Sequence, residues 1–194
     1  MKYIETIKLV DGIPCQLSSH LLRMERTVGV VFSLDLHTSL PGVVKCRVLY
    51  DDARIHSIAY TPYRLPHIES LQLIECPTID YRLKREDRSL LHALHALRGR
   101  ADEVLITQQG RITDTSFCNV VFESAEGLFT PRTFLLNGTQ RRRLLTDGVI
   151  RECDITVDDF GRYRCIHLIN ALIELEEGVS IPIANISKEG FGRG

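Results

Sequence analysis

Glu103–Ser124 reads EVLITQQGRITDTSFCNVVFES, two apolar runs on either side of Gln109-Gly110. Such runs around a glycine-containing bend predict strand, turn, strand. Asp114 lies in this apolar setting between Thr113 and Thr115. A carboxylate there is either a turn residue or a buried acceptor that needs a partner. Asn119, inside the second run, reads first as a core amide with its hydrogen bonds satisfied.

Further along, GLFTP (127–131) predicts another short strand. LLNGTQRRRLLTDGV (135–149) predicts a loop in which Gly138 feeds a helix. A helix start offers unpaired N–H groups and a positive dipole, so Thr139 and Gln140 form either an ordinary cap or a phosphate cradle. The basic run Arg141–Arg143 is read as helix surface. ECDITVDDF (152–160) predicts strand and turn, and CIHLINALIELEEGVSIPIANI (165–186) predicts strand and tail. Asn170, inside that last apolar run, again reads as a core amide before a ligand.

Towards the N-terminus, Leu90, Leu91, Leu94 and Leu97 recur at helical spacing, with Gly99 as a stop. Ahead of them Lys84 sits in YRLKREDRSLLHAL (81–94), among five other charged residues at 82 and 85–88. A charged run usually marks a solvated face, so a reactive amine is the reading that needs further support. The first eighty residues predict mostly strand: YIETIKLV (3–10), a turn at Asp11-Gly12, VVKCRVLYD (43–51), IHSIAYTPYRL (55–65) and ESLQLIECP (69–77). Ser18 or Ser19 would cap one short helix, SHLLRMERTVGVVF (19–32). Arg23 on that helix is a phosphate partner or a surface charge. Arg47 on the VVKCRVLYD strand is a partner for a substrate carboxylate or an exposed strand arginine. This pattern divides the chain into a small N-terminal α/β domain, 1–80, and a larger C-terminal domain, 81–194, of α+β class.

Composition sets outer bounds. With 194 residues, 44% hydrophobic and 25% charged, the chain can build a real core. A formal net charge of -1 gives no global field that would draw nucleic acid or an anionic membrane surface. No apolar run approaches the ~20 residues of a membrane span, and MKYIETIKLVDG lacks the apolar core of a signal peptide. The expectation is a cytoplasmic protein. Six cysteines, at 15, 46, 76, 118, 153 and 165, are scattered without a C-x-x-C pair. They read as structural thiols, and no metal site is expected.

The order of the pieces says more than any one of them. Glu5-Thr6-Ile7, then His20-x-x-Arg23, Lys84-x-x-Asp87-Arg88, ADEVLI (101–106), GRITDTS-x-x-N (110–119), Thr130-Pro131, L-x-G-T-Q-R-x-x-L-L (136–145) and CDIT (153–156) resemble the class IV aminotransferase family. The likeness runs from Glu5 to about Asn170 and is strongest from Lys84 to Asp154. It implies a two-domain, fold-type IV, D-amino-acid aminotransferase-like architecture with a shortened N-terminal domain, and pyridoxal 5'-phosphate (PLP) as cofactor. It implies that Lys84 forms the Schiff base with PLP. Asp114 falls where the family usually has a glutamate that pairs with the pyridine nitrogen. By the same resemblance Arg23, Thr139, Gln140 and Asn170 would bind the phosphate. Arg47 remains the candidate for the substrate carboxylate. A homodimer acting on a small molecule is implied.

Within the family, the lyase-like members resemble this chain in carrying an arginine four positions after the lysine, here Arg88. Branched-chain enzymes tend to carry a tyrosine five positions after it, and Ser89 stands there. The expectation is 4-amino-4-deoxychorismate lyase chemistry, which yields 4-aminobenzoate and pyruvate for folate synthesis. The rivals are transamination of branched-chain or D-amino acids and a catalytically inactive binding module with the same fold.

Overall fold

The computed structural model describes residues 1–191. The chain packs into two units. The first comprises Met1–Pro66 and Leu83–Asp87, the second His67–Arg82 and Arg88–Gly194.

In the first unit, β1 (Tyr3–Val10) turns tightly into β2 (Ile13–Pro14). Asp11 and Gly12 both take positive φ, 48° and 80°, as a two-residue type I' hairpin turn requires. α1 (Leu17–Val28) follows and stops at Gly29, whose φ of 73° and N–H bond to the Glu25 carbonyl end the helix before the expected Phe32. β3 (Val43–Tyr50) and β4 (Ile55–Pro62) complete an antiparallel sheet in the order β2-β1-β3-β4. Ile7 and Leu9 of β1, Val44, Cys46 and Val48 of β3 and Met24 of α1 are fully buried together. Alternation along β1 puts Glu5 in the same row as Ile7 and Leu9, so a carboxylate faces the helix from inside the core.

The second unit begins with β5 (Leu71–Glu75), which pairs parallel to β6 (Glu103–Gln108) through a crossover that carries α2 (Ser89–Ala96). The expected division at 80–81 assigns β5 to the N-terminal domain, whereas its hydrogen bonds are with β6. β6 returns to β7 (Arg111–Thr115) through Gln109 and Gly110, both at positive φ, another I' turn. β8 (Asn119–Ser124), β9 (Gly127–Pro131), α3 (Thr139–Thr146), β10 (Arg151–Cys153), β11 (Cys165–Ile169), β12 (Ser180–Pro182) and β13 (Ile186–Ser187) follow. They build a five-stranded sheet, β10-β9-β8-β11-β12, and a four-stranded one, β13-β5-β6-β7. Leu91 and Leu94 of α2 are buried against Val104 and Ile106 of β6. Leu90 and Leu97, expected on the same face, are 47% and 60% exposed. Leu144 of α3 packs on Val121 of β8 and Ile169 of β11. No helix among the described residues is long and apolar enough to cross a membrane.

Candidate functional site

In the first unit, the segment around Lys84 is not a free surface run. The Ile4 N–H donates to the Lys84 carbonyl at 2.9 Å, and the Glu86 N–H donates to the Lys2 carbonyl at 3.0 Å. Arg85 bridges Tyr3 in antiparallel fashion. The segment is thus stitched to the start of β1, and Lys84 is half-buried. Glu86, exposed, lies 3.8 Å from Arg47, the half-exposed arginine of β3.

Arg23 is 8% exposed, and its charge is matched from inside the core. Its Nε donates to Glu5 Oε2 at 3.1 Å and its Nη2 donates to Oε1. His20 Nδ1 meets the same Oε1 at 2.5 Å. The acceptor is an ionised carboxylate, so the Nδ1 position carries the proton. Burial pushes the Glu5 carboxyl up, but the Arg23 charge and the His20 contact outweigh it and hold the group down at about 2. The H-x-x-R spacing puts His20 and Arg23 on one turn of α1, facing Glu5. Glu5 and His20 were legible as part of the ordered pattern, yet no role was read for either. The missed signal is an acid at an inward position of an alternating strand.

In the second unit, Asp114 is a fully enclosed acceptor. Asn119 Nδ2 donates to its Oδ1 at 2.8 Å, and the Leu135 and Leu136 N–H groups donate to Oδ2 at 2.8 and 3.0 Å. Burial pushes this carboxyl up to about 6, against those bonds and the charge of Arg141. Asn119 also donates to the Leu136 carbonyl at 2.8 Å. Asp114 and Asn119 therefore hold the loop that delivers Gly138 to the start of α3. Of the expected site residues, the structure brings Asp114 to the loop that leads into Thr139 and Gln140.

No side chain caps the start of α3. Thr139 and Gln140 are 6% and 5% exposed. Gln140 Oε1 accepts from Arg143 Nε at 3.2 Å, while Gln140 Nε2 is buried with no hydrogen-bond partner among the described residues. An uncapped helix start beside a buried amide N–H₂ that lacks an acceptor fits a bound anion such as a phosphate.

Asn170 has a different setting. Its Oδ1 accepts from the Leu172 and Ile173 N–H groups, and its Nδ2 lies 3.1 Å from Cys118 Sγ. The amide shapes the turn after β11 and ties it to the loop before β8. Arg88 Nη2 donates to the Ser116 carbonyl at 2.7 Å, and Arg88 Nε is buried without a partner among the described residues. Ser116 Oγ in turn donates to the buried Glu103. Arg141, read as helix surface, is 2% exposed. Its guanidinium lies 4.3 Å over the Phe134 ring and donates to the Pro131 carbonyl and to Glu152. A run of three arginines hides which one turns inward, because only the α3 packing face decides it.

Comparison with known proteins agrees with this organisation. The family model for amino-transferase class IV matches residues 55–181. The chain is 34% identical over 181 residues to an uncharacterized protein of Haemophilus influenzae, covering 87% of this chain and 96% of that one. A solved structure from Haemophilus somnus, provisionally named a 4-amino-4-deoxychorismate lyase, matches with a TM-score of 0.81 at 30% identity, over 89% of this chain and 97% of that chain. A hypothetical aminotransferase from Mycobacterium tuberculosis, in a PLP-bound form, shares the fold with a TM-score of 0.73 at 15% identity, over 96% of this chain and 81% of that chain.

Proposed function

This chain belongs to the class IV aminotransferase family, and from that membership we propose a PLP-dependent lyase that converts 4-amino-4-deoxychorismate into 4-aminobenzoate and pyruvate. The observation that carries the cofactor assignment is Gln140, a buried amide nitrogen without an acceptor at the uncapped start of α3. The lyase assignment is supported by Arg88 four positions after Lys84, by Ser89 where a tyrosine would point to branched-chain substrates, and by the likeness to the Haemophilus somnus protein.

The residues divide the work by their chemistry. The first N–H groups of α3, with Thr139 and Gln140, receive the phosphate. Arg23 adds a cation that Glu5 and His20 hold in place. Asn170 acts on the phosphate through the turn it shapes. Asp114 offers a carboxylate to the pyridine nitrogen through Oδ1, which accepts one bond, from Asn119, whereas Oδ2 already accepts two. Bound PLP supplies a conjugated ring that takes up the electron pair freed at the substrate carbon bearing the amino group. Lys84 Nζ would hold the cofactor covalently and would take the proton from that carbon. The substrate's C–O bond to the enolpyruvyl group would then break, that group gaining a proton to become pyruvate while the substrate's own six-membered ring becomes aromatic. Atoms balance without water or a keto acid. Arg47 is assigned to a substrate carboxylate. A homodimer in the cytoplasm completes the proposal, and sedimentation of the purified protein tests its assembly.

The experiment has two parts. Borohydride reduction after adding PLP is expected to leave the cofactor on a peptide containing Lys84; a label on Lys45 instead would overturn the assignment. Enzyme, PLP and aminodeoxychorismate are then expected to release 4-aminobenzoate with no keto acid present. Amino-group exchange between an amino acid and a keto acid, with no 4-aminobenzoate formed, would replace the lyase by a transaminase.

A further inference from the structure

One face of the five-stranded sheet carries a cluster that the lyase chemistry leaves unused. β8 and β11 run antiparallel, with Cys165 opposite Glu123, His167 opposite Val121 and Ile169 opposite Asn119. Alternation puts Glu123, Cys165 and His167 on one face, and Ile166 and Leu168 on the other. The row on β8 starts at Asn119, beside the loop before α3, and ends at Glu123.

The three side chains converge. Glu123 Oε2 lies 2.8 Å from His167 Nε2 and 3.2 Å from Cys165 Sγ, and Sγ lies 3.6 Å from Nε2. All three residues are half-buried. The plain reading is a hydrogen-bonded cluster in which thiol and imidazole donate to the carboxylate. The spacing supports more than that. Tetrahedral zinc holds sulfur at about 2.3 Å and nitrogen or oxygen at about 2.0–2.1 Å, which separates the ligand atoms by about 3.3–3.6 Å. The sulfur–nitrogen edge already has that length. The other two need to open by about 0.3–0.5 Å, the change expected when a cation replaces two hydrogen bonds.

We propose that Glu123, Cys165 and His167 form a binding site for a thiophilic divalent cation of the zinc class, with solvent at the fourth position. The thiol selects against magnesium and calcium, which take oxygen ligands. Arg164 pairs with Glu123 Oε1 and so fixes the carboxylate with Oε2 towards the other two ligands. On binding, Cys165 releases its thiol proton to solvent, and a neutral His167 keeps one proton on Nδ1 while Nε2 meets the metal. Nδ1 is buried without an acceptor among the described residues. The affinity is therefore expected below that of sites in which that N–H is held. The bound ion ties β8 to β11 across the sheet.

The test uses the full-length protein, stripped by a chelator, dialysed free of it and kept without added PLP. It is titrated with Co²⁺, and with Zn²⁺ against a chromophoric chelator. One equivalent is expected to bind, with a thiolate-to-cobalt charge-transfer band. Cys165→Ser is expected to abolish the band and to weaken zinc binding more than about tenfold. His167→Gln is expected to weaken binding about tenfold or more while keeping the band, and Cys153→Ser to change neither. X-ray absorption of the zinc-loaded wild type, which depends on no variant folding, is expected to show one sulfur neighbour. No saturable binding by the wild type, a band that survives Cys165→Ser, or zinc without a sulfur neighbour would each overturn the site.

Discussion

Gly138→Ala probes the loop before α3 by space alone. The backbone there, φ −63° and ψ 149°, suits any residue, so alanine brings no strain of its own. Its Cβ would lie 2.1 Å from Asn119 Oδ1 and 3.3 Å from Asn119 Cγ, and the first distance is far inside any real contact. A flexible surface side chain would swing away at little cost. Asn119 is 6% exposed and pinned by two 2.8 Å bonds, to Asp114 and to the Leu136 carbonyl. Moving it loses a hydrogen bond to a carboxylate and one to a carbonyl, together about 2–4 kcal/mol. Local relaxation of the backbone would bring the figure towards the lower end, in the range of ordinary overpacking, about 1–3 kcal/mol. The chain has no tryptophan, so urea unfolding followed by far-ultraviolet circular dichroism is the suitable assay. The variant is expected to unfold at lower urea with an unchanged slope. Asn119→Ala should cost much less in the Gly138→Ala background than in the wild type, a coupling of about 1–3 kcal/mol. A Gly138→Ala stability within about 0.5 kcal/mol of wild type, or additive effects in the pair, would refute the argument that Asn119 fixes this loop.

Two carboxyls give pH effects of opposite sign. Glu5 titrates at about 2 in the fold against 4.5 ordinarily, so its contribution, about 3 kcal/mol, is present above pH 4.5 and lost as pH falls towards 2; in Glu5→Gln, urea melts across that range should lose this acid limb. Asp114 is raised from 3.8 to about 6, so the fold binds its proton more tightly, and stability from this group falls by about 3 kcal/mol as pH rises through that window; Asp114→Asn should remove that decline in the same melts. Arg23→Ala leaves a buried Glu5 without its main countercharge and is expected to cost about 3 kcal/mol in the same assay. Arg23→Lys, which keeps the charge, should recover part of that loss, and full wild-type stability in Arg23→Ala would show that Glu5 does not depend on it. Arg141→Met roughly keeps the buried volume but removes the donor to the Pro131 carbonyl and the ion pair to the exposed Glu152; a loss of about 1–3 kcal/mol is expected by thermal or urea unfolding.

Local signals carried most of the fold. The Gln109-Gly110 and Asp11-Gly12 bends, the alternation in β3 and the Gly138 entry to α3 each depend on a few adjacent residues, so they were readable from sequence. The parallel pairing of β5 with β6 was not, because a crossover partner is set by contacts distant in the chain. For the same reason the pairing of residues 84–86 with the start of β1 left no mark in a run that looks solvated. Asp114 was legible as a buried acceptor in need of partners, but those partners, Asn119 and two loop amides, appear only once the chain closes. Asn170 was read as a core amide or a phosphate contact, and its side chain turns out to organise a turn.

Residues 83–87 belong to the first unit although their neighbours on both sides belong to the second. No single cut in the chain can therefore release the two units whole. A fragment ending at Pro66 would lack the residues that bond to Lys2 and Ile4, and a fragment starting at His67 would carry them without their partner strand. The same topology constrains inheritance. A recombination event that exchanged residues 1–66 between two relatives would leave the segment bearing Lys84 against a foreign β1. Chimeras that also exchange 83–87 should be recovered more often in a library selected for folding, because this unit is encoded in two separate stretches of the gene.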